Sequence, residues 1–156
     1  MKSALPMALV RFVVGLVFVT EGVLKFLHPD DFGAGRFAAI GLPYPQLLGP
    51  FVGGVEIAAG LAVALNLVAG DAALLLIAVI LTALFTTKLP ILLGHPIGPF
   101  SLPKLPRFGI PSFLHEARLD LAMLFSLVAI AIDSGLRIRQ HRRWYQPRYE
   151  PRSSRP

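Results

Sequence analysis

The segment LPMALVRFVVGLVFVTEGVLKFL, running from Leu5 to Leu27, decides the fold class. It has the length of the roughly 20 apolar residues that cross a hydrocarbon core about 30 Å thick as a helix, and fourteen of its residues are Leu, Ile, Val or Phe. Those fourteen contribute about −4 to −8 kcal/mol to insertion, whereas Arg11, Glu21 and Lys25 each cost about +2.5 to +3.5 kcal/mol if central and lipid-facing. The two sums nearly cancel, so the segment crosses a membrane only if its charges face protein or water. Lys2 ahead of an apolar run also suggests a secretory signal. Arg11 interrupts that run, however, and Glu21 and Lys25 follow where a small-residue cleavage site belongs, so a retained helix is expected.

The rest of the chain repeats the pattern. Of 156 residues, 54% are hydrophobic and 15% charged, against about 25% charged in soluble domains, and the mean hydropathy is +0.66. Further apolar stretches run from Leu47 to Val68, Ala72 to Leu93 and Phe113 to Ile132. Backbone groups in lipid must bond within their own segment, which makes each stretch a helix. The expected fold is therefore all-α, an antiparallel bundle of four transmembrane helices. Pro29 to Gln46 is expected to be a loop with a turn at Gly41 to Pro45, and the five prolines between Gly94 and Ser112 predict an extended connection. The absence of cysteine excludes disulfides, thiol redox chemistry, cysteine-ligated zinc and iron–sulfur clusters.

An even number of spans puts both termini on one side. Seven arginines between Arg137 and Arg155, with Lys2, outnumber Arg36, Lys104 and Arg107 on the other side, and the positive-inside rule then places both termini in the cytoplasm. In the tail, Arg137, Arg139, Arg142, Arg143, Trp144 and Tyr145 mix basic and aromatic residues. That mixture suits anionic lipid headgroups, at about 1 kcal/mol per cation, or a cytoplasmic partner. The net charge of +6 thus speaks for membrane topology rather than for nucleic acid.

Eight ionisable residues fall inside the expected spans: Arg11, Glu21, Lys25, Glu56, Lys88, Glu116, Arg118 and Asp120. Glu21 and Lys25 are one helical turn apart in the favourable order, and Arg11, Phe18 and Lys25 share a stripe. Glu116 and Asp120 are also one turn apart, whereas Arg118 lies about 200° round the helix from Glu116. Gly53 and Gly60 flank Glu56 and are expected to leave room beside its carboxylate, and Pro90 is expected to kink the third span next to Lys88. With spans one and three running outward, Glu21, Lys25, Glu56, Lys88, Glu116, Arg118 and Asp120 form a candidate chamber in the outer half of the bilayer. It would bind a polar headgroup, an anion or protons; ion pairing that only fixes which helices adjoin is the alternative. Arg11 lies near the inner face and is a candidate for a structural ion pair. His28, His95 and His115 map to the outer boundary with no metal-ligand spacing, so no metal site is assigned.

In order, the pieces Arg11…Gly15…Phe18…Glu21-Gly22…Lys25-Phe26, Gly33-x-Gly35-Arg36-Phe37…Gly41-Leu42-Pro43, Glu56-Ile57…Gly60-Leu61, Thr87-Lys88-Leu89-Pro90 and His115-Glu116-Ala117-Arg118-x-Asp120 resemble the DoxX family of small bacterial membrane proteins. The resemblance divides the chain into a family-like membrane domain, 1–136, and a basic, aromatic tail, 137–156. It implies a multi-pass protein of the bacterial inner membrane, linked in some members to a thiosulfate:quinone oxidoreductase complex. On that footing the chain is expected to be a subunit of a redox-linked complex, with no intrinsic cofactor, a quinone headgroup or protons in the chamber, and electrons arriving from a partner subunit. A scaffold subunit with purely structural ion pairs, and a permease for protons or a small anion, are the alternatives. The arginine-rich tail departs from the family pattern, and no separate periplasmic domain is present to act on thiosulfate.

Overall fold

A computed structural model describes residues 5–144, the side chains of 136–144 excepted. Helix α1 (Leu5–Leu27) has the bounds that its apolar run sets, and it packs antiparallel on α4 (Pro45–Ala64). Small residues permit the approach. A Cβ on Gly15 would stand 2.5 Å from the Gly60 carbonyl oxygen, and one on Gly22 would stand 2.6 Å from that of Gly53. In lipid, where helices gain little hydrophobic drive from associating, close backbone packing of this kind holds them together. Gly53 and Gly60 therefore do not leave room beside Glu56: α1 fills it, with Phe26 and Lys25 against Gly53 and Phe18 and Val19 against Gly60.

A tight link, 65–68, with Asn66 and Val68 in the left-handed region, leads into α5 (Ala69–Ala83), three residues earlier than the hydropathy suggests. Helix α5 packs on α4 and on the long α7 (Ile110–Trp144). The core lies where the four meet: Val14 and Phe18 from α1, Val63 from α4, Leu76 and Ile80 from α5, Leu127 and Ile130 from α7.

Beyond α5 the chain widens into a π-helical turn, Leu84–Lys88, in which the Leu89 N–H donates to the Leu84 carbonyl five residues back. Pro90 explains it. In a regular helix its ring would strike the Thr86 carbonyl, and it has no N–H to offer, so the kink takes the form of a wider turn. Thr86 and Thr87 hydroxyls donate to the Thr82 and Ala83 carbonyls, at 2.9 and 2.6 Å. A short α6 (Leu89–Leu93) then ends at Gly94 in the left-handed region.

The first connection is not a plain loop. It folds into α2 (Pro29–Phe32) and α3 (Ala34–Ile40). Pro111 does not hold off the last helix either, because in the first turn of α7 its missing N–H costs nothing. The two connections are joined: the Ser101 N–H donates to the Ile40 carbonyl at 2.9 Å, the Gly109 N–H to that of Ile91 at 3.0 Å, and Phe100 stands edge-on to Phe85. They roof the end of the bundle where α1 finishes and α4 begins.

Among the described residues there is no β-strand, and three helical segments are long and apolar enough to cross a membrane: Leu5–Leu27, Pro45–Ala64 and Ala69–Leu93. Large apolar side chains such as Phe12, Leu16, Phe51, Leu74 and Phe125 stand exposed on the outside of the bundle, as lipid-facing surfaces require. Helix α7 continues without a break through 137–144. The side chains of Arg137, Arg139, Arg142, Arg143 and Trp144, and all of Tyr145, lie outside the described residues.

Candidate functional site

Helix α1 buries two cations, Arg11 and Lys25, fourteen residues and so about 21 Å apart along the axis. Arg11 Nη1 donates a 3.2 Å hydrogen bond to Asp133 Oδ2 on α7. The structure thus sets Asp133 against Arg11. Lys25 sits differently, with its Nζ 2.6 Å from Glu56 Oε2 and 3.9 Å from Glu21 Oε2. Lys25 and Glu56 are only 9% and 6% exposed. The Lys25 ammonium and the Glu56 carboxylate therefore form a close, buried ion pair, and Lys25 Nζ also donates to the Glu21 backbone carbonyl at 3.5 Å.

Across the bundle the π turn presents Lys88, whose Nζ is 3.7 Å from Asp120 Oδ2 and 4.0 Å from Glu116 Oε2 on α7. The widened turn matters here, since it lets the chain place Lys88 at the cavity while Pro90 packs into the core. Between these two ionic groups lies a cavity of about 420 Å³. Its charged lining is Glu21, Lys25, Arg36, Glu56, Lys88 and Asp120, and its apolar walls include Phe18, Phe37, Val55, Leu75 and Met123.

Five of the seven expected chamber residues thus come together: Glu21, Lys25, Glu56, Lys88 and Asp120. Glu116 reaches the cavity only through Lys88. Arg118 does not join them. It is exposed on the far side of α7 and donates to the His115 carbonyl of its own helix, as its 200° offset from Glu116 requires.

Two residues escaped the sequence reading. Asp133 stands just past an uncharged run from Leu121 to Ile132, with no local pattern tying it to Arg11, 122 residues away. Arg36 came with a usable signal, the glycines around it. A Cβ on Gly33 would lie 2.6 Å from the Lys25 carbonyl oxygen, and one on Gly49 2.7 Å from the Ala34 nitrogen. Those glycines clamp α3 between α1 and α4 and so hold Arg36 at the cavity.

A bundle of apolar helices with its charges turned inward defines an integral membrane protein with a polar internal chamber. The sequence model of the DoxX family matches residues 7–89, a range that contains Arg11, Glu21, Lys25, Arg36, Glu56 and Lys88. The chain is also similar to the uncharacterized membrane protein Rv3486 of Mycobacterium tuberculosis, strain H37Rv, with 39% identity over 119 residues that cover 76% of this chain and 69% of that protein. The chain belongs to the DoxX family. No solved structure matches it.

Proposed function

We propose that the protein is an integral membrane subunit of a redox-linked complex, and that its cavity holds a quinone or quinol headgroup. The observation that carries this reading is the convergence of Lys25, Glu56, Lys88 and Asp120 on one largely apolar space of about 420 Å³. That volume is within the roughly 300–1,000 Å³ of small-molecule sites, and a few polar groups in an apolar wall is their usual chemistry. In this reading α7 is a fourth span, both termini lie in the cytoplasm of a bacterial cell, and the cavity occupies the outer half of the inner membrane. The uncharged run Leu121–Ile132 and the arginines after it support that orientation.

A quinone seated there supplies two-electron, two-proton chemistry. Lys25 and Lys88 set positive charge where negative charge develops on a carbonyl oxygen, in a setting of low dielectric where fixed charge acts strongly. Glu56 and Asp120, beside those lysines on the cavity wall, are the proton holders of this reading. Phe18, Phe37 and Val55 exclude water. The described residues offer no grouping of His, Asp and Glu able to hold a metal ion, and in this reading electrons come from a partner subunit.

One observation favours a second reading. Lys25 and Lys88 are each already shared between two carboxylates, which suits a scaffold whose ion pairs set helix neighbours. Purification from native membranes in mild detergent, with mass spectrometry of co-purifying proteins and extracted small molecules, separates the two. Stoichiometric quinone with a redox subunit is the expected result. A clean complex without quinone leaves the scaffold, and a lone chain turns attention to ion flux in vesicles.

A further inference from the structure

We infer that the chamber takes its ligand sideways out of the bilayer, and that an apolar tail attached to the headgroup lies in the groove between α4 and α5. The inference rests on the headgroup reading above and names the class of ligand: a lipophilic quinone with a long hydrocarbon tail rather than a water-soluble ring or an inorganic anion.

A second cavity, of about 600 Å³, opens between α4 and α5, and it shares Phe51, Val55 and Leu75 with the chamber. These three side chains are therefore the partition between a polar space and a largely apolar one, whose lining carries one charge, Asp71. Phe51 and Leu75 are exposed, so the partition is made of side chains facing lipid, free to change rotamer. Along α4 the groove runs from Pro50 to Ala59, nine rises or about 14 Å.

Neighbouring glycines on α4 point to an occupant. A Cβ on Gly53 would collide with Phe26 at 2.9 Å, so that glycine serves the α1 seam; a Cβ on Gly54 would meet nothing within 4 Å. Glycine weakens a helix, and among the described residues no group uses the space that Gly54 leaves in the groove floor. The roof is a poor entrance by contrast, because α3 and the 95–109 segment are tied by the Ser101–Ile40 bond and Arg36 stands under them. A hydrocarbon tail gains nothing by leaving lipid and loses much by crossing charge. It stays in the membrane-facing groove while the ring passes Phe51 and Leu75 to reach Lys25 and Lys88.

The test uses the full chain in lipid nanodiscs and two probes: a menaquinone bearing an isoprenoid tail, and menadione, a tailless naphthoquinone ring. Gly54→Phe and Ala58→Phe each fill the groove without touching the chamber's polar lining. Each is expected to weaken the tailed quinone about tenfold or more, the scale of forcing bulk into a filled apolar site, and to leave menadione unchanged. The chain has no cysteine, so Gly54→Cys, folded first and then labelled with a bulky maleimide, gives the same reading if Gly54→Phe fails to fold. Equal loss of both probes, or loss of neither, overturns the groove while the chamber stands. An unaltered protein that binds neither probe overturns the chamber, and the groove with it. Spontaneous disulfide dimers of the Gly54→Cys variant put a second copy in the groove and overturn the inference as well.

Discussion

Arg11 and Lys25 stand on one stripe of α1, both cationic and both buried, and the protein holds them in opposite ways. Arg11 donates to Asp133 and so ties α1 to α7. Lys25 has two carboxylates and the Glu21 backbone carbonyl beside it, and it lines a space of about 420 Å³. The one charge ties two helices directly, whereas the other also faces a space that a ligand can enter. Burial alone does not distinguish the two cases, since Arg11 and Lys25 are 5% and 9% exposed. The difference lies in what else reaches the charge.

The comparison is most easily broken at Lys25. Lys25→Met leaves the Glu56 carboxylate buried without its cation and is expected to cost about 3–5 kcal/mol in folding stability, measured by thermal unfolding in detergent. Adding Glu56→Leu is expected to restore most of that loss, because an apolar pair of similar volume replaces a buried ion pair at little cost, but not to restore quinone binding. At the other end Arg11→Leu leaves Asp133, 26% exposed, with partial access to solvent. Its expected cost is about 1–3 kcal/mol, with quinone binding intact. Smaller again, Lys88→Met faces two half-buried carboxylates and is expected to change stability by no more than about 1 kcal/mol while abolishing quinone binding. Arg118→Ala, outside the chamber, is expected to stay within about 0.5 kcal/mol and to leave binding unchanged.

The sequence displays what depends on composition and on short spacing. The ends of α1, the kink at Pro90 and the nearness of Glu21 to Lys25 follow from apolar run length, a missing N–H and a one-turn offset, whereas the contacts of Lys25 with Glu56 and of Lys88 with Glu116 and Asp120 depend on which helices meet. What depends on which helices meet stayed hidden. Gly53 and Gly60 look the same in sequence whether they make room for a ligand or for a neighbouring backbone, and only the approach of Gly15 and Gly22 decides it. Helices α2 and α3 are too short to show a period, and they form because Gly33 and Gly49 let them dock. Arg118 was drawn into the chamber by its neighbours Glu116 and Asp120, although the helical offset already turned it away. Asp133 became visible only as the tertiary partner of Arg11.

The central claim is that the buried ionic groups do different work: Arg11 with Asp133 holds the bundle, and the chamber groups around Lys25 and Lys88 receive a quinone. It is tested most directly by the stabilisation that a tailed quinone confers on three proteins in nanodiscs: the unaltered chain, Lys88→Met, and Arg11→Leu with Asp133→Leu. A bound ligand at about 100 times its Kd adds roughly 2.7 kcal/mol. The account predicts that the unaltered chain and the Arg11/Asp133 variant both show this rise in melting temperature, whatever their starting stabilities, and that Lys88→Met melts as the unaltered chain does without it. A rise that survives in Lys88→Met, or that disappears with the Arg11–Asp133 pair, would contradict the account.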